Sequence, residues 1–182
     1  QDQGWILTNP SQKVRPPRVI RETPATLTPG QVQDLFTAME KQAPRLIPWT
    51  AIRAFAGVRS EASRSLTRAE IDMERKALTI LPAVNKDRGK RDFLEDCGPN
   101  LWPWLERYLP RLQLPDPDQI FTQRMVGELR QLAKSKGILI PKNAFRHSFA
   151  TYHLAAYRDP GRTALQLCHR DSPRMLWQHY KG

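Results

Sequence analysis

The chain has little cysteine and no long apolar run, and each shortage excludes a class of protein. Its 182 residues include two cysteines, Cys97 and Cys168, which lack the paired spacing of a disulfide framework or a zinc site. We therefore expect a reducing compartment, the cytoplasm, and no structural metal. No stretch approaches the roughly 18 apolar residues of a membrane-spanning helix, and no signal peptide opens the chain.

Acidic residues are also in short supply. The sequence has 29 Lys and Arg against 18 Asp and Glu, a formal net charge of +11. A surface with this charge concentrates polyanions. The composition favours a nucleic acid as partner, although a ribosome-associated protein or an ordinary basic protein can have the same balance.

The first 27 residues differ from the rest of the chain. They show no period of two or 3.6 and contain four prolines among scattered basic residues: Pro10, Pro16, Pro17 and Pro24. This pattern predicts a basic, extended arm or linker. Residues 28–182 are left as one domain, a length that suits a single core. The chain begins without Met, and we expect it to be a fragment of a longer protein.

Most of that domain carries helix signals. Thr28 and Gln31 form a capping box with Pro29 at the first helical position. Apolar periodicity and caps predict further helices at about 48–57, 60–66, 100–109 and 122–136, followed by a helical block around residues 145–152, 160–167 and 172–180.

A short region between these helices has a different pattern. The β-prone runs at Ile71, 78–81 and 92–94 are separated by polar turns, which predicts a small antiparallel sheet. The expected fold is therefore mainly α with a small antiparallel β-sheet, an α+β domain.

The most informative residues form an ordered set of arginine, histidine and tyrosine. Arg59 lies in Gly57-Val-Arg-Ser-Glu, Arg146 in Asn143-Ala-Phe-Arg-His, His169 follows Cys168, and Tyr180 stands next to the end of the chain. This order resembles the tyrosine recombinase (phage integrase) family, in which an upstream Arg precedes H-x-x-R, then His or Trp, then a nucleophilic Tyr. The resemblance covers roughly residues 10–182 and implies the catalytic domain of a bacterial integrase-like protein.

The resemblance implies a role for each of these residues. Arg59 and Arg146 would clamp the scissile phosphate, because the planar guanidinium bonds phosphate bidentately and keeps its charge. Tyr180 would attack the phosphorus and hold the strand as a 3′-phosphotyrosine. Lys86, on the loop between the second and third strands, would protonate the leaving 5′-oxygen. Lys90 is the alternative for that role.

Two registers are open for the last histidine of the pattern. His169 would be a donor to the phosphate, but it stands eleven residues before Tyr180, whereas the family spacing is about nine. Some members read G-N-S-P, then five residues, then H-Y. Ser172-Pro173 and His179-Tyr180 fit that register, which places Asp171 at the Asn position and displaces His169. Asp171 would repel the phosphate, so His169 is the preferred donor.

Two positions depart from the family pattern. Asn143 stands where the family has the first His of H-x-x-R, and an amide donates a hydrogen bond to phosphate but does not shuttle a proton. The carboxylate expected three residues after Arg59 is replaced by Ala62, and Glu61 comes one position early, so it braces Arg59 only if the helix begins late.

The resemblance implies a site-specific recombinase of a mobile element, with no metal or nucleotide cofactor. The implied partner is double-stranded DNA, with a tetrameric synapse for the full-length protein, a monomer for this fragment, and a bacterial nucleoid-associated location. Two alternatives stay open: a type IB topoisomerase-like relaxase, and a non-catalytic DNA-binding module derived from an integrase.

Overall fold

The computed structural model describes residues 24–81 and 92–168. Seven helices and three strands follow one another in these ranges: α1 (Pro29–Gln42), α2 (Ile47–Phe55), α3 (Ser60–Arg64), β1 (Ile71–Asp72), β2 (Ala77–Ile80), β3 (Asp92–Leu94), α4 (Leu101–Tyr108), α5 (Gln123–Ser135), α6 (Ala144–Tyr157) and α7 (Pro160–Gln166). Short 3₁₀ turns cover Pro44–Leu46 and Arg68–Glu70. The predicted fold class, mainly α with a small antiparallel sheet, is confirmed.

Helix α1 begins where its capping residues predict. The Thr28 side chain accepts a hydrogen bond from the Gln31 backbone N–H, the Gln31 side chain accepts one from the Thr28 N–H, and Pro29 is the first helical residue. Just before this cap, Leu27 is buried in the core. Its N–H donates to the Ser148 hydroxyl at 2.7 Å, and its carbonyl accepts from the Tyr152 hydroxyl at 3.1 Å. These bonds attach the entry to α1 to helix α6.

The sheet is an antiparallel meander in the order β1-β2-β3. In the central strand, Leu78 pairs with Ile71 on one side and with Leu94 on the other, and all three side chains are buried. The connection between β2 and β3, residues 82–91, lies outside the described residues and contains Lys86 and Lys90.

Helix α2 is the centre of the domain. Every residue from Ile47 to Arg53 is buried, because α1, α3, α4 and α6 all pack against this helix. A helix that is covered on all sides usually has apolar residues on every face. Arg53 is therefore unusual as the charged residue of this stretch. In the described part of the chain, no helix is long and apolar enough to cross a membrane.

Gly57 makes the break between α2 and α3 possible. Its φ of +65° lies in the left-handed region, which a residue with a Cβ adopts only at a cost. A Cβ on Gly57 would also lie 2.5 Å from Cδ1 of Phe149 and 2.9 Å from Cδ2 of Leu167. The close approach brings the turn after α2 against α6 and the end of α7.

Gly57→Ala is expected to lower the free energy of unfolding by roughly 2 to 4 kcal/mol, because positive φ and overpacking both oppose the new methyl group. Gly127→Ala is the matched control. Gly127 lies inside α5, and a Cβ there meets nothing within 4 Å, so this change is expected to add about 0.5 to 1 kcal/mol through helix propensity. Urea unfolding monitored by circular dichroism measures both. Equal effects of the two substitutions would contradict the tight packing at Gly57.

Candidate functional site

The Arg146 guanidinium ties three elements together. The residue lies in the first turn of α6 and is 7% exposed. Its Nη1 donates to the Gly57 carbonyl at 2.7 Å, and its Nη2 donates to the Leu167 carbonyl at 2.6 Å. A buried charge has to be hydrogen-bonded to be tolerated, and the left-handed turn at Gly57 presents one of the carbonyls that does so. The plane of the guanidinium is thereby fixed.

Arg59 stands two residues beyond Gly57, directly before α3. Its backbone is extended, with φ −59° and ψ 144°, and its side chain is half-buried. In the parts of the chain that the structure describes, no hydrogen bond or ion pair holds this guanidinium. Arg59 is therefore a cation near Arg146 whose donors are not committed to the described protein.

Cys168 directly follows Leu167, whose carbonyl accepts a hydrogen bond from Arg146. Burial, together with the nearby carboxylate of Asp92, raises the pKa of its thiol to about 12. The charges of Arg146 and Arg59 both oppose this by lowering the pKa. Arg59 stands two residues after Gly57, whose carbonyl accepts a hydrogen bond from Arg146. Arg59 and Arg146 therefore both belong to the region around the turn at Gly57.

Asn143 lies in the same region, which we call the arginine corner and which contains Gly57, Arg59, Arg146 and Leu167. It precedes α6 in the left-handed conformation, with φ 60°, which asparagine adopts more readily than most residues. Its side chain does not cap the helix. Instead, Oδ1 accepts a hydrogen bond from the Ser60 hydroxyl at 3.4 Å. Asn143 therefore faces the start of α3, next to Arg59.

Sequence reasoning missed Arg53 and Ser60. The Arg53 side chain is 9% exposed, its guanidinium carbon lies 4.5 Å from the Trp49 ring centre and 4.9 Å from that of Phe145, and its Nη2 donates to the Ser60 hydroxyl at 3.2 Å. The available signal was an arginine in the middle of an apolar helix.

Arg53 stays protonated although it is buried. Desolvation, with smaller contributions from Arg64 and Arg130, lowers the Arg53 pKa to about 10. That value is still well above neutral pH, so the residue remains a cation.

The condition under which Glu61 would brace Arg59, a late start of the helix, is not met. Helix α3 begins at Ser60, directly after Arg59. The Glu61 side chain is 80% exposed and pairs with Arg64 at 3.3 Å. Glu61 does not brace Arg59, and the carboxylate missing at Ala62 is not replaced by it.

The remaining predicted site residues cannot be placed. Lys86, His169 and Tyr180 lie outside the described residues, as do their alternatives Lys90 and Asp171. Within the ranges 24–81 and 92–168, no cluster of three or more His, Cys, Asp or Glu side chains is arranged to hold a metal ion.

A second polar network supports α7 from the far side. His153 is buried, with Nδ1 at 2.8 Å from the Thr163 hydroxyl and Nε2 at 3.1 Å from the Asp96 carboxylate. Arg162 also bonds Asp96 and holds the pKa of that carboxyl below its usual range. Burial lowers the His153 pKa, although Asp96 opposes this. The network connects the segment after β3 to α6 and to α7, the helix that ends just before Leu167.

Comparison with known proteins finds curated relatives and solved structures with a similar fold. No family model matches the chain. The tyrosine recombinase XerD of Neisseria meningitidis serogroup B is 26% identical over 168 residues, which is 82% of this chain and 56% of XerD. The chain thus spans little more than half the length of that relative.

Two of the solved structures with a similar fold are integrases. The catalytic domain of bacteriophage HP1 integrase superposes with a TM-score of 0.65 at 14% identity, covering 85% of this chain and 86% of that domain. The Tn1549 transposon integrase in complex with transposon right end DNA gives a TM-score of 0.67 at 15% identity, covering 88% of this chain and 62% of that one.

Both cysteine thiols are expected to be unreactive in the folded protein. Burial raises the pKa of Cys97 and of Cys168 to about 12, so the thiolate, which is the reactive form, is scarce at pH 8. Reaction with a chromogenic disulfide reagent should be roughly 10³-fold slower than in the urea-unfolded chain, as three pKa units imply. Rapid labelling of either thiol in the native protein would contradict the burial of this corner.

Proposed function

We propose that this chain, which has the fold of a tyrosine recombinase catalytic domain, cuts and rejoins DNA strands at specific sites through a 3′-phosphotyrosine on Tyr180. The observation that carries the proposal is the pair of arginines at one corner. Arg146 is held by the carbonyls of Gly57 and Leu167 at 2.7 and 2.6 Å, and Arg59 stands two residues from that contact.

The chemistry requires such a pair. Moving a phosphodiester from one oxygen to another builds negative charge on the non-bridging oxygens, and donors fixed in advance stabilise that charge most. Arg146 is fixed by its bonds, and its position in the first turn of α6 adds the positive end of a helix dipole. Arg59 contributes the second guanidinium group. Asn143, beside them, contributes an amide donor.

The reaction conserves the bond energy. The Tyr180 oxygen forms a bond to phosphorus as the bond from phosphorus to the 5′-oxygen breaks, and Lys86, or Lys90, gives that oxygen a proton. His169 donates to the phosphate. Attack by a 5′-hydroxyl on the phosphotyrosine reverses these steps, so rejoining needs neither metal nor nucleotide. Asn143 holds the phosphate but accepts no proton.

The partner is duplex DNA. The net charge of +11 provides the attraction, and the Tn1549 integrase, whose fold is similar, has been solved with transposon DNA. We infer that the reaction serves a mobile element, that further protomers assemble on the DNA as a tetramer, and that the enzyme works in the cytoplasm on the bacterial nucleoid.

A second candidate is a DNA-binding module that has lost catalysis. Two observations favour it: Asn143 replaces an ionisable residue, and Glu61 points to Arg64 at 3.3 Å instead of bracing Arg59. The two candidates differ in one product, the covalent protein–DNA link.

Affinity for duplex DNA is expected to fall steeply with salt. A plot of log K against log salt should have a slope of about −0.9 for each phosphate neutralised, because each contact releases counterions. Fluorescence anisotropy with a random 30-base-pair duplex measures this from 50 to 300 mM salt. An interaction that does not respond to salt would contradict phosphate binding as the source of affinity.

Tyr180→Phe is expected to abolish the covalent link while leaving DNA affinity nearly unchanged. The substrate is a pool of nicked duplexes with randomised sequence, from which protein-linked DNA is recovered under denaturing conditions and sequenced. Tyr157→Phe is the matched control, because it removes the same hydroxyl from an exposed tyrosine. An adduct that survives Tyr180→Phe would assign the nucleophile to another residue, such as Tyr152 or Tyr157. No adduct from the unaltered protein with any member of the pool would favour the binding module.

Arg146→Lys keeps the charge but loses the two-pronged fork, and is expected to slow adduct formation roughly 10²- to 10³-fold. Single-turnover rates on a duplex selected from the pool test this. A variant that cleaves at the unaltered rate would remove Arg146 from the mechanism.

A further inference from the structure

We propose that Ser60 and Arg53 are positioning residues that orient the Asn143 amide toward the scissile phosphate. The inference rests on the proposed function and extends it, because it assigns a role to two residues that are not part of the recombinase motif of arginine, lysine, histidine and tyrosine. The three side chains form one hydrogen-bonded line from the core to the site: Arg53 to Ser60 at 3.2 Å and Ser60 to Asn143 at 3.4 Å.

The direction of the bonds fixes the amide. The Arg53 guanidinium has only donors, so the Ser60 oxygen accepts from it. The single Ser60 proton is then directed to Asn143 Oδ1, the acceptor end of the amide. With Oδ1 turned to Ser60, the NH₂ end of Asn143 faces the other way, and that end is the donor a phosphate oxygen needs. An unanchored amide would rotate and present either end.

The burial of Arg53 indicates that its charge serves a function other than packing. Arg53 is 9% exposed, and in the described parts of the chain no carboxylate forms an ion pair with it. Two aromatic rings cover its faces. Replacing a buried charge with an apolar residue of similar volume is often neutral or stabilising. Packing alone therefore does not require an arginine at this position.

The charge strengthens the line of hydrogen bonds. A cationic donor polarises the hydroxyl that accepts from it, and in a low-dielectric interior that hydroxyl becomes a better donor to the next acceptor. The Ser60–Asn143 distance of 3.4 Å is long for a bond between oxygens. Hydrogen bonds of this kind commonly tighten when the substrate is bound.

The experiment measures single-turnover adduct formation on a duplex selected from the nicked pool, using the protein and five variants. Ser60→Ala removes the link, Ser60→Thr retains the hydroxyl, and Asn143→Ala removes the amide. The double variant of Ser60→Ala with Asn143→Ala tests coupling. Ser65→Ala is the matched control, because Ser65 is an exposed serine directly after the same helix.

Asn143→Ala is expected to slow adduct formation roughly 10²-fold, as for the loss of one transition-state donor, and Ser60→Ala roughly 10-fold. The double variant should be no slower than Asn143→Ala alone, because Ser60 acts only through the amide. Ser60→Thr should recover most of the rate, and Ser65→Ala should match the unaltered protein. Multiplying effects of Ser60→Ala and Asn143→Ala, or an equal loss in Ser65→Ala, would overturn the proposal.

Arg53→Met separates positioning from packing. The methionine fills the space between the Trp49 and Phe145 rings without charge. We expect a melting temperature no lower than that of the unaltered protein, together with slower cleavage and no further loss when Ser60→Ala is added. A lower melting temperature with an unaltered cleavage rate would show a structural role and overturn the assignment. Absence of any adduct from the unaltered protein would instead count against the proposed function itself.

Discussion

The hydrogen bonds from Arg146 to the carbonyls of Gly57 and Leu167, at 2.7 and 2.6 Å, are the contacts on which the rest of the corner depends. They join the first turn of α6 to the turn after α2 and to the end of α7. The left-handed conformation of Gly57, with φ +65°, is what lets the chain turn its carbonyl to the guanidinium. The same turn places Arg59 two residues further on, so one backbone feature locates both cations.

This corner accumulates positive charge at some expense to stability. Arg146 is a cation at the positive end of the α6 dipole, and Arg53 is buried with its pKa lowered to about 10. A cation kept where desolvation disfavours it is common at functional sites. A bound phosphate would supply the negative charge that these groups face, which connects the folding energetics to the proposed chemistry.

The sequence predicted the elements well because their signals are local. Thr28, Pro29 and Gln31 lie within one turn, and the buried stripe of α5, Met125, Leu129, Leu132 and Ala133, follows the period of a helix. The glycine at position 57 also marked the break after α2. These signals act over a few residues, and tertiary packing did not overrule them.

The site was only partly predictable, because its contacts are distant in sequence. The pairing of Arg59 with Arg146 followed from a known motif order, but Ser60 and Asn143 are separated by 83 residues and no local pattern links them. Arg53 was visible as a charge in an apolar helix, yet its bond to Ser60 depends on the turn at Gly57. The role of Glu61 depended on where α3 begins, and the local sequence left that start open, whereas the structure places it at Ser60.

In the proposed mechanism, Arg59 and Arg146 neutralise the charge of one scissile phosphate. The most direct measurement compares cleavage of a normal phosphate with cleavage of a methylphosphonate at the same position, whose methyl group removes the charge, with each stereoisomer tested separately. Arg59→Ala is the informative variant, because no hydrogen bond to the described residues is lost with it. The account predicts that Arg59→Ala slows cleavage of the phosphate roughly 10²-fold or more and has a much smaller effect on one methylphosphonate isomer. An equal loss on all three substrates would contradict it.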